Sequence, residues 1–167
     1  MKSIEGDFKI EAMKKEDWEM VSAIYLEGIQ TGIATFQADL PTWEEWDKGH
    51  IQSCRFVARR EAVVMGWVAL SHTSSRRVYA GVAEVSIYIG EAFKGLGVGT
   101  ALLNEVAHQS EVEGFWTLQA GIIEENKASQ KLHSKCGFRK IGIREKIAQM
   151  PNGRWHNVVL MERRRSE

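Results

Sequence analysis

Ala83-Glu84-Val85-Ser86-Ile87-Tyr88-Ile89 is followed closely by Lys94-Gly95-Leu96-Gly97-Val98-Gly99-Thr100, and these two segments carry the clearest structural pattern in the chain. In the first segment, apolar residues at the odd positions alternate with a set that includes Glu84, Ser86 and Tyr88, which is typical of a β-strand with one buried face. The second segment has glycine at alternate positions and leads into an apolar stripe of helical spacing, formed by Leu102, Leu103, Val106 and Ala107. We therefore predict a strand, a glycine loop and a helix in direct succession.

The glycine loop is suited to binding an anion. Gly95, Gly97 and Gly99 permit positive φ angles and leave no Cβ in the way of a ligand. Successive N–H groups in such a turn point to one side, the following helix contributes its positive N-terminal end, and Lys94 adds a cation. A phosphate or pyrophosphate is the ligand that such a loop would bind. The same glycines would, however, also allow a tight connection between a strand and a helix. The loop is not a Walker A motif, since no Gly-Lys-Ser/Thr ends it, and its spacing does not fit the Gly-x-Gly-x-x-Gly dinucleotide fingerprint.

The remaining elements follow from hydrophobic periodicity and turn residues. Strands are expected at residues 8–13, 55–58, 63–70, 82–89, 115–123, 138–147 and 154–161, with a turn at 59–62. Helices are expected from Trp18 to an end bracketed by Gly28 and Gly32, from Pro41-Thr42, from Thr100 to Glu113, and from Asn126 to Cys136-Gly137. The order β-α-α-β-β-β-α-β-α-β-β predicts a mixed α/β domain whose helices cover a twisted sheet, with crossovers around the glycine loop and around Asn126. Residues 163–165 are expected to form a solvated tail.

Length and composition favour one domain over residues 1–167, without repeats or linkers. Lysine plus arginine and aspartate plus glutamate both number 22, so the formal net charge is zero, which argues against dedicated nucleic-acid binding. Cys54 and Cys136 form no Cys-x-x-Cys pair and are expected to be reduced thiols in a cytoplasmic protein. No stretch approaches the roughly 18 consecutive apolar residues of a membrane span. Residues 1–7 are polar, so no signal peptide is expected.

Two motifs resemble those of the GNAT acetyltransferases. The strand at 83–89 with the loop and helix after it is similar to that family's acetyl-CoA-binding core, in which Lys94 replaces the first residue of Gln/Arg-x-x-Gly-x-Gly/Ala. Residues 126–138, Asn-Lys-Ala-Ser-Gln-Lys-Leu-His-Ser-Lys-Cys-Gly-Phe, are similar to the family's Asn-x-x-Ser/Ala-x-x-Leu-Tyr/His-x-x-x-Gly-Phe. The resemblance covers nearly the whole chain. It implies the family's fold, a central twisted mixed sheet flanked by about four helices.

A branch of that family is also suggested. Residues 33–36, 76–79, 84–88 and 153–156 are similar to segments of the phosphinothricin and methionine-sulfone acetyltransferases. This resemblance implies transfer of the acetyl group of acetyl-CoA to the α-amino group of a small amino-acid analogue, by direct attack in a ternary complex and without a metal. It also implies a cytoplasmic bacterial enzyme that forms a homodimer.

The same resemblance assigns the cofactor-binding residues. The glycine loop would hold the pyrophosphate, and the strand would offer backbone groups to the pantetheine arm, which pairs like an added strand. Asn126 would meet that arm, although it could also be a plain helix N-cap. The assigned set is Ile87, Tyr88, Ile89, Lys94, Gly95, Leu96, Gly97, Val98, Gly99, Thr100 and Asn126.

Two residues are candidates for proton transfer. Glu84 is an acid within an otherwise apolar strand, and we expect it to be half-buried beside Tyr88 and to act as the general base. The alternative is an ordinary carboxylate on an exposed strand face. His133 stands where many relatives have a tyrosine that protonates the departing thiolate, although a single histidine on a helix could equally be a surface residue.

The acceptor's carboxylate would need a cation, and arginine binds carboxylates bidentately. By the family pattern we expect Arg76 to do so, although a solvated basic loop is the alternative. Phe36 and Tyr79 would wall the acceptor side-chain pocket, or else belong to the core. Trp155 and His156 would close the site from the last hairpin.

Three functional hypotheses remain open from the sequence. The first is an N-acetyltransferase for small amino-acid analogues. The second is an acetyltransferase for protein N-termini or lysines, which would need an open groove rather than a cation for a carboxylate. The third is a non-catalytic acetyl-CoA sensor, which would keep the glycine loop without needing Glu84.

Overall fold

The computed structural model describes residues 7–166, so most of the polar N-terminal segment lies outside the described residues. The strands are β1 (Lys9–Ala12), β2 (Arg55–Arg60), β3 (Val63–His72), β4 (Val82–Ile89), β5 (Thr117–Ile123), β6 (Arg139–Gln149) and β7 (Trp155–Arg164). The helices are α1 (Trp18–Thr31), α2 (Trp43–Gly49), α3 (Val98–Val112) and α4 (Lys127–Lys135). Short 3-10 helices occur at Lys15–Asp17, Arg77–Tyr79 and Glu91–Phe93. The predicted element order and the mixed sheet with four flanking helices are confirmed.

The seven strands form one sheet in the order β1-β2-β3-β4-β5-β7-β6. Neighbouring strands are antiparallel except β4 and β5, which are parallel because α3 crosses over between them. Their pairing joins only Val82–Glu84 to Thr117–Gln119, whereas β4 pairs with β3 as far as Ile89. The β5-facing edge of β4 is therefore unpaired beyond Glu84, which opens a cleft in the middle of the sheet.

The two faces of the sheet carry different cores. On one face, α3 buries the predicted apolar stripe, including Leu102, Leu103 and Val106, against the central strands. On the other, α1 and α2 pack aromatic residues against the sheet, where Trp46, Trp67 and Tyr88 form consecutive ring contacts with centroids 5.4 and 5.0 Å apart. The cleft is thus backed by a rigid aromatic cluster.

Several element ends differ from the predictions. The β2–β3 turn is shorter than 59–62, because β2 runs to Arg60 and Glu61 adopts a positive φ of 53° at the turn. By contrast, the predicted end of α1 between Gly28 and Gly32 is confirmed, because the helix ends at Thr31 and Gly32 follows as its left-handed C-cap. The predicted solvated tail at 163–165 is wrong for its first two residues, which belong to β7. Arg163 is held there by Glu111 of α3, with Nη1 and Oε2 2.8 Å apart.

Within residues 7–166, no helix is long and apolar enough to cross a membrane.

Candidate active site

A cavity of about 480 Å³ lies between the end of α1, the carboxyl end of β4, the glycine loop and α4. We call it the glycine-loop cavity. It is lined by every residue that the sequence assigned to the cofactor except Leu96, whose side chain is 41% exposed. Further lining residues were not predicted: Glu27, Gly28, Thr31, Ile33, Ala34, Glu91, Phe93, Ala128, Ser129, Leu132 and Lys135.

The amino terminus of α3 leaves backbone donors available to this cavity. Gly97 is the N-cap with a φ of 82°, and no side chain caps the helix, so the N–H groups of the first turn lack a capping partner. A Cβ on Gly95 or on Gly97 would meet no atom within 4 Å, so space is open beside the loop. Open space, free donors and the positive end of a helix together fit a phosphate group.

Two lysines flank the glycine-loop cavity, and their surroundings differ. Lys94 Nζ lies 2.8 Å from Glu91 Oε2, so its charge is partly balanced within the chain. Lys135 ends α4 and makes no ion pair with any described residue. Three residues earlier in α4, Leu132 lies 3.0 Å from the position that a Cβ on Gly99 would take, so α4 packs directly on the start of α3. Lys135 is therefore the cation of this cavity that is free for an anionic ligand.

A second cavity, of about 420 Å³, continues the cleft between β4 and β5. We call it the Glu84 cavity. Its lining also includes Phe36 and His133. The two cavities share five lining residues, which lie where they meet: Ala34, Ile87, Tyr88, Asn126 and Ser129. A long ligand in the first cavity can therefore present its end to a small molecule in the second.

Glu84 lies in this second cavity, but the expected half-burial beside Tyr88 is wrong. Its side chain is exposed, and its Oε1 accepts a hydrogen bond from Gln119 Nε2 at 3.3 Å. Tyr88 lies four residues further along β4, where α1 covers it so closely that a Cβ on Gly28 would be 2.6 Å from its ring. The neighbours of Glu84 in the strand, Ala83 and Val85, are buried, so at this point β4 exposes only the face that carries Glu84.

His133 is buried, contrary to the alternative of a surface position, with 2% of its surface exposed. Its Nδ1 lies 2.8 Å from the Ser129 carbonyl oxygen, which can only accept, so Nδ1 carries the hydrogen. Its Nε2 has no hydrogen-bond partner among the described residues. Burial lowers the pKa of His133, so the neutral ring with a basic Nε2 is favoured at neutral pH.

Tyr88 stands where the two cavities meet. Burial raises the pKa of its phenol, and the nearby Tyr25 raises it further, while a hydrogen bond with Thr35 opposes the shift. The phenol therefore stays protonated at physiological pH. It can donate a hydrogen bond in the cleft but cannot serve as the base.

The structure does not bring the expected carboxylate-binding residues into the cleft. Arg76 and Tyr79 are exposed on the β3–β4 loop, where the guanidinium lies 5.6 Å from the centre of the Tyr79 ring, and neither lines a cavity. No lysine or arginine among the described residues lines the Glu84 cavity. Phe36 does line it, and the buried His156 lies behind Phe36, whereas Trp155 is 55% exposed.

Of the lining residues that were not predicted, Gly28 could have been recognised from the sequence. Gly28 interrupts a helical pattern, and a glycine there indicates the close approach of another group. Lys135 left no such signal, because a lysine in the last turn of a helix is favoured by the helix dipole alone. The described residues contain no cluster of three or more histidines, cysteines or acids able to hold a metal ion.

Comparison with known proteins gives similarity over most of the chain. The model of the acetyltransferase (GNAT) family matches residues 18–138. YwnH of Bacillus subtilis (strain 168), provisionally named a phosphinothricin acetyltransferase, is 38% identical over 149 residues, which are 86% of this chain and 91% of YwnH. The structure of a GNAT superfamily phosphinothricin acetyltransferase from Sinorhizobium meliloti in complex with AcCoA is 26% identical, has a TM-score of 0.84 and covers 95% of this chain and 88% of its own. The structure of a ribosomal-protein-alanine N-acetyltransferase from Brucella melitensis is 25% identical and has a TM-score of 0.85. It covers 94% of this chain and 99% of its own.

Proposed function

This chain belongs to the GNAT family of acetyltransferases and is an acetyl-CoA-dependent N-acetyltransferase, and we propose that its acceptor is the α-amino group of a small amino-acid-like molecule. The two phosphinothricin acetyltransferases described above support this acceptor class. The observation that carries the proposal is the junction of the two cavities, because it lets a cofactor bound at the glycine loop and a small amine beside Glu84 approach each other.

The proposed binding of acetyl-CoA uses backbone groups at both ends of the glycine-loop cavity. The first turn of α3 would donate to the pyrophosphate, with Lys135 as an additional cation. The unpaired edge of β4 beyond Glu84 would pair with the pantetheine arm. Acetyl-CoA supplies an acetyl group that is already activated as a thioester, so the chain's own task is to position the reactants and move protons.

Proton transfer is assigned to Glu84 and His133. An α-amino group is mostly ammonium at neutral pH and must lose a proton before it can attack. Glu84 lies open in the acceptor's cavity and can take that proton directly or through water. His133 lines the same cavity, and its buried Nε2 has no partner among the described residues. His133 can donate to the departing thiolate only after this nitrogen has gained a proton.

A second acceptor class is favoured by one specific observation. The Glu84 cavity has no cation among the described residues, so a free carboxylate would gain no ion pair within it. An α-amino group at the start of a peptide carries no such carboxylate, since its carbonyl is an amide. The similarity to a ribosomal-protein-alanine N-acetyltransferase supports keeping this candidate.

Thiol release from acetyl-CoA with a panel of acceptors tests the proposal. The panel contains L-methionine sulfone, phosphinothricin, alanyl dipeptides with blocked carboxyl groups, a polyamine and an alkylamine. The proposal predicts the highest kcat/KM for the free amino-acid analogues. Preference for the blocked dipeptides would select peptide N-termini instead, and binding of acetyl-CoA without thiol release to any acceptor would indicate a sensor.

We further propose that the protein is a cytoplasmic homodimer. Both cysteines are unpaired and buried, which agrees with a reducing compartment. The edge strand β6 exposes Ile141, Ile143 and Ile147, and Trp155 is exposed nearby on β7. A second copy covering these side chains would remove apolar surface from water.

A further inference from the structure

His156 is a buried polar residue behind the wall of the Glu84 cavity rather than in it. Only 4% of its surface is exposed, and its Nδ1 lies 3.1 Å from Oε1 of Glu125. This hydrogen bond from His156 is the main reason why the pKa of the Glu125 carboxyl is lowered. A carboxylate can only accept, so the hydrogen lies on Nδ1 of His156. His156 is therefore the donor and Glu125 the acceptor of this hydrogen bond.

Glu125 connects this pair to the start of α4. It directly precedes Asn126, whose Oδ1 caps the helix by accepting from the Ser129 N–H at 3.2 Å. The next residue of β7 secures the same turn, because Asn157 Nδ2 donates to Glu124 Oε1 at 3.2 Å. Residues 124–126 are thus anchored to β7 immediately before the helix that carries His133.

On its other side, His156 contacts Phe36. The two ring centroids are 6.3 Å apart at an angle of 66°, an edge-to-face arrangement. Phe36 belongs to residues 32–42, which form neither helix nor strand, yet it lines the Glu84 cavity. A loop side chain that forms a cavity wall needs contacts that fix it, and His156 provides one from the sheet.

We propose that His156 and Glu125 form a positioning pair that fixes Phe36 as a wall of the acceptor site and so sets the affinity for the amine acceptor. This inference rests on the proposed function, since it takes the Glu84 cavity as the place where the amine binds. Neither His156 nor Glu125 nor Phe36 lines the glycine-loop cavity, whereas Asn126, the sequence neighbour of Glu125, does. Loss of the pair therefore weakens acceptor binding and leaves acetyl-CoA binding unchanged.

Three variants and one control test the pair by steady-state kinetics and calorimetry. Glu125→Ala removes the acceptor oxygen at a half-exposed position, and His156→Phe keeps a ring against Phe36 without a donor. Each should raise the KM for L-methionine sulfone about 10-fold, with kcat little changed, because the wall acts equally on bound substrate and transition state. Glu125→Gln keeps an acceptor oxygen and should restore a KM close to that of the wild type. Glu162 lies elsewhere on β7 and forms a 2.6 Å ion pair with Arg139 of β6. Glu162→Ala removes this ion pair and should change neither KM nor kcat.

A double-mutant cycle distinguishes positioning from general destabilisation. In a Phe36→Leu background, Glu125→Ala should raise the acceptor KM no further, because the wall it positions is already gone. Additive effects, an unchanged KM in both single variants, or an equal loss of acetyl-CoA affinity would each overturn the inference. If the wild type acetylates no amine in the panel, the proposed function fails instead, before any variant is compared.

Discussion

The side chains of the cleft show how burial assigns chemical roles. His133 has its hydrogen fixed on Nδ1 by the Ser129 carbonyl, so in the neutral ring Nε2, which has no partner among the described residues, is unprotonated. Tyr88 is partly buried in the same cleft, and its raised pKa keeps the phenol protonated, so that it can donate a hydrogen bond. Glu84 is exposed and can exchange protons with solvent. The two buried or partly buried groups thus differ in the protonation state that their surroundings favour.

The lowered pKa of His133 has a consequence for stability. In the unfolded chain the imidazole takes up a proton near pH 6.5, whereas burial disfavours the proton in the folded state. Below pH 6.5 the unfolded state therefore binds more protons than the folded state. The contribution of His133 to the free energy of unfolding is fully present above pH 6.5, and it is lost as the pH falls toward the lowered pKa of the folded state. The loss should be at most about 1.4 kcal/mol per pH unit in this window.

Urea unfolding of the wild type and of His133→Gln between neutral and mildly acidic pH measures this effect. The variant should show a flatter decline of the free energy of unfolding with falling pH. His50, whose pKa is also lowered by burial, contributes with the same sign in both proteins, so the difference between them isolates His133. Identical slopes would mean that His133 is not held neutral.

Residue roles could be predicted from the sequence only where local pattern and position coincide. Glu84 and His133 were found because an acid in an apolar strand and a motif position pointed to them, and both line the same cavity. Their burial could not be predicted, because it depends on tertiary packing, which leaves Glu84 exposed and His133 buried. Arg76 was assigned to the acceptor by resemblance and by its chemistry, yet its loop holds it against Tyr79 outside the cavity.

At the scale of elements, the junction of the glycine loop with α3 allows a well-matched test. Gly97 and Gly153 both have positive φ, 82° and 87°, and open space where a Cβ would be. Valine at either position should cost about 1–2 kcal/mol of backbone strain. Only Gly97→Val should also weaken acetyl-CoA binding, by roughly 10- to 100-fold, the value of a lost hydrogen bond to a charged group.

Calorimetric titration of acetyl-CoA into both variants measures the difference. Gly153 lies in the β6–β7 turn and does not line either cavity, so Gly153→Val serves as the control for strain. Equal affinities in the two variants would place the pyrophosphate somewhere other than the start of α3.

The end of α4 gives a second test at this scale. Lys131 and Lys135 are exposed one helical turn apart, but only Lys135 lines the glycine-loop cavity. Lys135→Met should weaken acetyl-CoA binding roughly threefold to fivefold, as expected for a solvent-exposed ion pair, and the effect should shrink with added salt. Lys131→Met should bind like the wild type. A salt-independent loss, or equal losses in both variants, would contradict a direct contact from Lys135.

Element order was predictable and element ends were not, for identifiable reasons. Alternation and helical spacing extend over many residues, so each strand and helix was found. The start of α3 was expected at Thr100 but lies at Val98, because its N-cap is a left-handed glycine and no Ser, Thr, Asp or Asn marks it. The end of β7 was missed because three arginines resemble a tail, and the partner that orders Arg163 is 52 residues away in α3.

For the whole molecule, the decisive feature is the divergence of β4 and β5 after Glu84. It creates the unpaired edge of β4, next to which lie the two cavities with their shared lining residues. Nothing in either strand's own sequence marks where the pairing stops, so the cleft could not be predicted from the local pattern. The strand order β5-β7-β6, which places β6 at the sheet edge, could likewise not be predicted from local sequence patterns.

The exposed apolar side chains of β6 lead to a prediction about assembly. Light scattering should give about twice the chain mass of 18.9 kDa at micromolar concentration. Ile143→Lys should shift the protein toward the monomer, whereas Val63→Lys, at a similarly exposed position on β3, should not. A mass of one chain across a wide concentration range would exclude the homodimer.

The central claim is that the cleft beyond Glu84 is where acetyl transfer to an amino-acid-like amine takes place. The most direct measurement is the pH dependence of kcat/KM for L-methionine sulfone in the wild type and in Glu84→Gln. If Glu84 accepts the ammonium proton as we propose, the variant should lose about 10²- to 10⁴-fold near neutral pH, in kcat and kcat/KM alike. The loss should shrink at alkaline pH, where the amine arrives deprotonated. Near-wild-type rates of Glu84→Gln at neutral pH would contradict the account, as would a wild type that transfers no acetyl group to this acceptor.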